Sequence, residues 1–239
     1  MPIDYSKRPS RPPAAPTPPP SAPPPAPPPV SLSKITLTKS APAVSLSKQG
    51  GGGRLTVNLN WNQRPAGSGG GGGGFLRKAL GGGGGGQIDL DIAALYELSD
   101  GSKGVVQALG NSFGAFDRPP YVVLDKDDRS GASTEGENLF VNLAHVRDIR
   151  RLLIFTFIYE GAASFDQAAG VVTLTPQAGA PIEVRLDEEA GRARMCAIAL
   201  LENSGGNDLV VSRQIRYVNG HRDLDAAFGW GLNWAAGRK

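Results

Sequence analysis

Two carboxylate-rich stretches are where this sequence could do chemistry. In Gln87–Ala94 (QIDLDIAA), Asp89 and Asp91 alternate with Ile88, Leu90 and Ile92. The two-residue period of a strand puts both carboxylates on one face and the aliphatic side chains on the other. Downstream, Asp125–Asn138 (DKDDRSGASTEGEN) carries five carboxylates within fourteen residues, interrupted by Gly131 and Gly136. Hard cations such as Ca²⁺ take about six to eight oxygens from carboxylates, carbonyls and amides. An acidic, glycine-containing loop facing a strand with paired aspartates has that donor chemistry. The same residues also read as a solvated strand face followed by an ordinary polar turn.

Other chemistries find few residues to work with. The sequence has one cysteine and two histidines, His145 and His221, which cannot fill the four positions of a zinc site. No Gly-x-Ser-x-Gly motif is present, and the glycine runs lack the Lys-Ser/Thr ending of a phosphate loop. Cys196 lies in the apolar run Met195–Leu201, where a buried, inert thiol is expected rather than a nucleophile. A single cysteine forms no intrachain disulfide, which fits a reducing compartment, so a cytoplasmic location is expected. No stretch reaches the roughly 18 apolar residues of a membrane span, and the N-terminus lacks the apolar core of a signal peptide. The protein is expected not to be an enzyme.

The acidic stretches must be held by strands. Ser31–Lys34, Thr36–Lys39 and Ser45–Lys48 alternate hydroxyls with leucine, as half-buried or edge strands do. Arg54–Trp61 places Leu55, Val57, Leu59 and Trp61 on one face. Further strands are predicted at Gln87–Leu98, Gly104–Leu109, Tyr121–Asp125, Glu137–Leu143, Gly170–Thr175, Ile182–Leu186, Arg194–Leu201 and Leu209–Val218. The run Arg151–Tyr159 is continuously apolar after its first residue, the signature of a central strand covered on both faces. Short strands separated by turn clusters predict a mainly β fold, an antiparallel β-sandwich. His221–Trp234 carries Leu224, Ala227, Phe228 and Gly231 at helical spacing and predicts a C-terminal amphipathic helix. Trp230 and Trp234, four residues apart, would share one face of it. Asp223 suits the start of that helix through the helix dipole.

Composition divides the chain. Fourteen of 20 prolines fall in Met1–Val30 and seventeen of 33 glycines in Gly50–Gly86. Such segments bury too little apolar surface to offset the entropy of ordering. A disordered Pro-rich tail is therefore expected at 1–33, short strands with poly-Gly linkers at 34–86, and the β-sandwich at 87–239 with its first strand near residue 35. Phe75–Leu80, between two glycine runs, is too short for a stable helix and reads as a docking segment or loop insert. Residues 1–86 carry a net charge of +9 and residues 87–239 a net charge of −6. The basic residues form no cluster interleaved with aromatics, so no nucleic-acid binding is expected.

The Ser-Leu-Ser-Lys repeats, Gln87–Ala94, Asp127–Gly131 (DDRSG) and Glu137–Leu143 (ENLFVNL) resemble the TerD family of tellurium-resistance and chemical-stress proteins. Gln107–Gly114 (QALGNSFG) and Gly220–Trp234 (GHRDLDAAFGWGLNW) resemble its TerA branch. The likeness runs from about Ile35 to Lys239. It implies a bacterial β-sandwich protein that binds calcium through acidic loops. It also implies partnership with other Ter-family proteins and with a TerC-type membrane protein, at the inner face of the membrane. Carried over residue by residue, the implied ligands are Asp89, Asp91, Asp127 and Asp128, with Glu135 and Glu137 matching less closely.

The sequence departs from the family pattern where it matters for metal. Its loop continues Ala132–Asn138 (ASTEGEN), shorter and with fewer acids than the family's, and Ala93 stands where the strand motif has serine. Ligand charge tunes calcium affinity over decades, so weak binding or none is expected. Arg129 offers a second use for the same acids, as ion-pair partner of Asp89 or Asp91. Two functions are thus expected: a calcium-binding stress-response protein of the tellurite-resistance type, or a metal-free scaffold that recruits partners through its Pro-rich tail.

Overall fold

The computed structural model describes residues 1, 33–47, 52–61, 88–125, 136–160, 164–186 and 188–235. The expectations for the Pro-rich tail, the poly-Gly runs, the Phe75–Leu80 island and the loop 126–135 fall outside them. The strands are β1 (Ile35–Thr36), β2 (Ala43–Ser45), β3 (Arg54–Asn60), β4 (Asp89–Leu98), β5 (Lys103–Val106), β6 (Gly114–Ala115) and β7 (Val122–Leu124). They continue as β8 (Glu137–Asn142), β9 (Ile149–Glu160), β10 (Val171–Pro176), β11 (Ile182–Arg185), β12 (Met195–Ser204) and β13 (Asp208–Val218), with short 3-10 turns at Leu143–Asp148 and Phe165–Gln167 and a C-terminal α-helix, α1 (His221–Phe228).

Two sheets result. One runs β1-β11-β10-β3-β8-β7-β6 and the other β2-β13-β12-β9-β4-β5. All pairings are antiparallel except β1 against β11. The upstream segments therefore enter both sheets: β1 and β3 the first, β2 the second. Leu37 and Leu46, from the Leu-Thr-Lys and Leu-Ser-Lys runs, are buried although the strands beside them are only two and three residues long.

Alternation sorts the side chains. Leu55, Val57 and Leu59 of β3 meet Leu90, Ile92, Leu152 and Ile154 of the second sheet in the core between the layers. On the second sheet the other set is apolar too. Ala93, Leu95, Leu153, Phe155, Phe157 and Ala197 face outward and are buried in a second core with Leu224 and Trp230. β9 is thus covered on both faces, as its continuous apolar run predicts.

The cover on that outer face is α1 and the chain that follows it, and here the sequence expectation is corrected. The helix does not reach Trp234. It ends at Phe228, because Gly229 adopts a left-handed conformation (φ 64°) that glycine takes without Cβ strain. Trp230 and Trp234 therefore do not share a helix face. The chain turns back and Asp225 clamps it: its carboxylate accepts from Gly231 N (2.7 Å), Leu232 N (2.8 Å) and Trp234 Nε1 (3.0 Å).

The sheet holds the turned segment from below. Arg151 stacks its guanidinium 3.8 Å above the Trp230 ring and donates to the carbonyls of Phe228 (3.0 Å) and Gly229 (3.1 Å), where the helix dipole favours a cation. Trp230 Nε1 donates to Tyr96 O (2.9 Å) and Lys103 Nζ to Trp230 O (3.1 Å). Glu97, 3% exposed, anchors the cations: Arg151 Nε lies 2.7 Å, Arg150 Nη1 2.9 Å and Lys103 Nζ 3.6 Å from its carboxylate. Burial alone would raise the Glu97 carboxyl. The hydrogen bond and charge of Arg151, aided by Lys103 and Arg150, outweigh it and hold the group below its ordinary 4.5.

A depressed carboxyl stabilises the fold fully above its unfolded value, and that contribution is lost as pH falls through the folded value. The thermal stability of the wild type should therefore fall progressively below about pH 4.5. Glu97→Gln should be less stable at neutral pH by about 2 kcal/mol, because Arg151 loses its charged partner while the more solvated Arg150 and Lys103 lose little, and should show a flatter profile in the acid window. Equal pH profiles for the two proteins would remove Glu97 from this role.

Candidate functional site

The acidic strand β4 ends at an open stretch of sheet edge. β5 pairs only with Ala94–Glu97, so among the described residues no strand lies beside the edge of β4 before Ala94 in its own sheet. Ile88, Leu90 and Ile92 go into the inter-sheet core, which leaves Asp89 and Asp91 on the outer face, in line with Ala93 and Leu95. Asp89 is half-buried and Asp91 is 1% exposed. A carboxylate so deeply buried is costly unless hydrogen bonds or a cation compensate it. This end of β4 is therefore not the solvated face that is one reading of the sequence.

The other sheet reaches this edge through Glu137, the first residue of β8. Its Oε2 accepts the Ile92 N–H at 2.7 Å, so a carboxylate caps the β4 backbone where a neighbouring strand would otherwise bond. Gly136 lets β8 begin there. It has φ +76°, and a Cβ at this position would run into the carbonyl oxygen of Leu59 on β3. Only glycine fits both the conformation and the approach.

The acidic loop starts and ends beside the same edge. Leu124 pairs with Leu139 across β7 and β8, and Asp125 N donates to Asn138 O at 2.8 Å. The hairpin thus closes just before residue 126 and reopens at Gly136. Asp127, Asp128, Glu135 and the alternative partner Arg129 lie outside the described residues. Of the six expected ligands, Glu137 is brought one residue from Asp91 by its bond to Ile92 N, and Asp89 and Asp91 share a face. Among the described residues no group of three or more His, Cys, Asp or Glu side chains is placed to hold a metal ion.

The register adds one acid that the sequence reading missed. Glu160, the last residue of β9, is the Cα partner of Asp89. Like charges directly opposite repel. The signal was an acid closing the long apolar run, but only the register, shifted at a bulge between Asp89 and Leu90, sets it against Asp89.

The remaining reactive side chains have structural surroundings. Cys196 is fully buried, and burial, followed by the negative charge of Glu188, pushes its thiol far up from its ordinary value. His221 stands among Phe155, Phe157 and Trp234 (ring centroids 5.8, 5.5 and 4.8 Å away), with Nε2 bonded to Gln107 Oε1 at 2.8 Å. Burial lowers its pKa and favours the neutral ring. His145 stacks on Tyr121 at 4.0 Å and bonds Asp148 through Nδ1 at 2.8 Å.

No family model matches the chain. A tellurium resistance protein TerA from Alcaligenes sp. is 46% identical over 210 residues, which is 88% of this chain and 60% of the relative. The chain thus spans about three-fifths of that relative's length. A crystal structure of a protein of unknown function, SAV2460, superposes with a TM-score of 0.50 at 16% identity, over 77% of this chain and 99% of the other. That likeness concerns the fold. A crystal structure of a homologue of telluride resistance protein (TerD), SCO6318 from Streptomyces coelicolor A3(2), gives a TM-score of 0.47 at 19% identity, over 74% of this chain and 96% of the other.

Gly136→Ala should lower stability by more than about 1 kcal/mol, because a Cβ is strained at this φ and collides with backbone. It should also shift the Ile92 amide resonance, as Glu137 is displaced. A wild-type unfolding temperature and an unmoved Ile92 amide would contradict the close approach of β8 to β3 and β4.

Proposed function

Because this chain belongs to the TerD-domain family of tellurium-resistance proteins, on its TerA-like side, we propose that it is a non-enzymatic stress-response protein of the tellurite-resistance type that binds calcium at the acidic edge of its sandwich. The observation that carries the calcium reading is the Glu137–Ile92 bond. It ties the end of the acidic loop to the strand that bears Asp89 and Asp91, so that one short stretch of sheet edge gathers hard oxygen donors from both sheets. Carboxylate oxygens without sulfur or imidazole suit Ca²⁺ and not zinc or copper. Asp89 and Asp91 would supply the strand ligands and Asp127, Asp128 and Glu135 the loop ligands. Glu137 would position the loop end through its bond to β4.

One observation favours the metal-free scaffold instead. A Glu137 oxygen is engaged by backbone, so one carboxylate of an already depleted set is committed elsewhere. In that reading the acidic edge is a structural joint, and partners are recruited through the Pro-rich tail. Other Ter-family proteins are the proposed partners in either case, with a TerC-type membrane protein at the inner face of the membrane. No helix among the described residues is long and apolar enough to cross a membrane.

Calorimetric titration of the full chain with calcium separates the two. Saturable binding near the micromolar range, abolished in Asp89→Ala/Asp91→Ala and weakened in the milder Asp89→Asn, supports the calcium site. Absence of heat up to millimolar calcium with the fold intact transfers the weight to the scaffold. The non-enzymatic reading has its own test. The buried thiol of Cys196 is unsuited to redox chemistry, so Cys196→Ser should leave tellurite resistance of a host strain unchanged. Loss of resistance in a folded Cys196→Ser protein would revive a thiol-dependent activity.

A further inference from the structure

The outer face of the seven-stranded sheet carries a groove of about 650 Å³ over β3, β8 and β10, lined by Arg54, Thr56, Phe116, Asn142, Thr175 and Gln177. That is within the range of small-molecule sites. Strand register builds it. Arg54 is the Cα partner of Asn142 across β8, and Thr56 is the partner of Phe140 on β8 and of Thr175 on β10. Arg54 and Thr56 alternate with the buried Leu55 and Val57, so both project to the outer face.

The polar groups are sorted by sign. Asn142, 7% exposed, uses its Oδ1 to accept Ala144 N (3.1 Å) and one Nδ2 proton to reach Phe116 O (3.1 Å), which fixes its amide. Gln177 lies over Gly53, where a Cβ would collide with it, and its Oε1 accepts Arg54 N at 3.2 Å. Both amide oxygens are thereby turned to backbone donors, and amide N–H groups remain for the groove. The Thr56 and Thr175 hydroxyls make no side-chain hydrogen bond among the described residues. Arg54 makes no ion pair among them. Its guanidinium is steadied instead by the Phe140 ring, 5.0 Å from its centroid. Among the described residues no carboxylate lines the groove.

We propose that this groove binds a small oxyanion, with the Arg54 guanidinium as its charge partner, Thr56, Thr175 and the amide of Gln177 as neutral donors, and the Phe116 ring as an apolar wall. A donor-rich surface whose one arginine makes no ion pair among the described residues is complementary to an anion. The site is independent of the calcium reading. Glu137 and Asn142 stand at opposite ends of β8, about 17 Å apart at the rise of a strand.

The test is titration of the full chain with sodium phosphate, tellurite and phenyl phosphate, each at constant ionic strength set with chloride, followed by amide resonances. Saturable shifts centred on Arg54, Thr56 and Thr175 are expected with at least one probe. Arg54→Gln should weaken binding at least about tenfold, and Thr56→Val/Thr175→Val should weaken it without removing charge. Asp89→Ala/Asp91→Ala should leave it unchanged. Equal affinity for phosphate or tellurite and for phenyl phosphate identifies a free inorganic oxyanion as the ligand class. A clear preference for phenyl phosphate identifies an organic anion seated against Phe116. Absence of saturable shifts with all three probes overturns the proposal, as does binding that Arg54→Gln leaves intact in a folded protein. The latter result would place the anion on other basic residues.

Discussion

The two-sided burial of β9 is the constraint from which the rest of the molecule follows. A sandwich strand ordinarily shows one face to the opposite sheet and the other to water, and its sequence alternates accordingly. Here Leu152, Ile154 and Ile158 fill the inter-sheet core while Leu153, Phe155 and Phe157 are equally apolar and face the other way. The six-stranded sheet therefore cannot stand uncovered. Something must lie over its outer face, and the only described segment that does so is the C-terminal one, with Leu224 and Trp230 as its buried side chains.

That cover is too short to hold itself in place by hydrophobic burial alone. A helix of eight residues is marginal in isolation, and the segment after Gly229 has no regular structure. Polar groups fix what packing cannot. Asp225 converts the irregular return into a ring of charge-assisted hydrogen bonds, and Arg151 ties the helix end, the indole and Glu97 to one guanidinium. An arginine can serve all three partners because its planar fork donates at the edge while its face stacks on an aromatic ring. The charged residues of the C-terminal motif are thus mostly answered by structure. The same is true of His221, whose aromatic neighbours belong to the second core and its rim.

The sheets and their outer limits were legible in the sequence wherever one rule decided them. Alternation placed β3 and β4 correctly, and the continuous apolar run from Leu152 identified the doubly covered strand. What alternation could not supply was register. The opposition of Asp89 to Glu160 depends on a bulge, and the meeting of Glu137 with Ile92 depends on how closely two sheets approach at one corner. Neither leaves a local pattern. The helix was extended too far because Gly231 and Trp234 continue the helical spacing of Leu224, Ala227 and Phe228. The stop signal, glycine at 229 followed by the residues that Asp225 binds, was present but outweighed by that periodicity. The polar quartet Arg54, Thr56, Asn142 and Thr175 was not legible at all, since its members come from three strands distant in sequence and each alone is an ordinary surface residue.

β8 shows why such a fold can keep opposite chemistries apart. Its inward residues, Leu139 and Val141, are fixed in the common core, so its outward residues and ends are free to differ without disturbing the packing. At one end Glu137 reaches across to a strand edge rich in carboxylates. At the other, Asn142 adjoins a guanidinium and a set of hydrogen-bond donors. A flexible loop carrying both sets would let them neutralise each other. A paired strand of six residues holds them apart at a distance beyond the screening length of physiological salt, so each end keeps the electrostatic character its own residues give it.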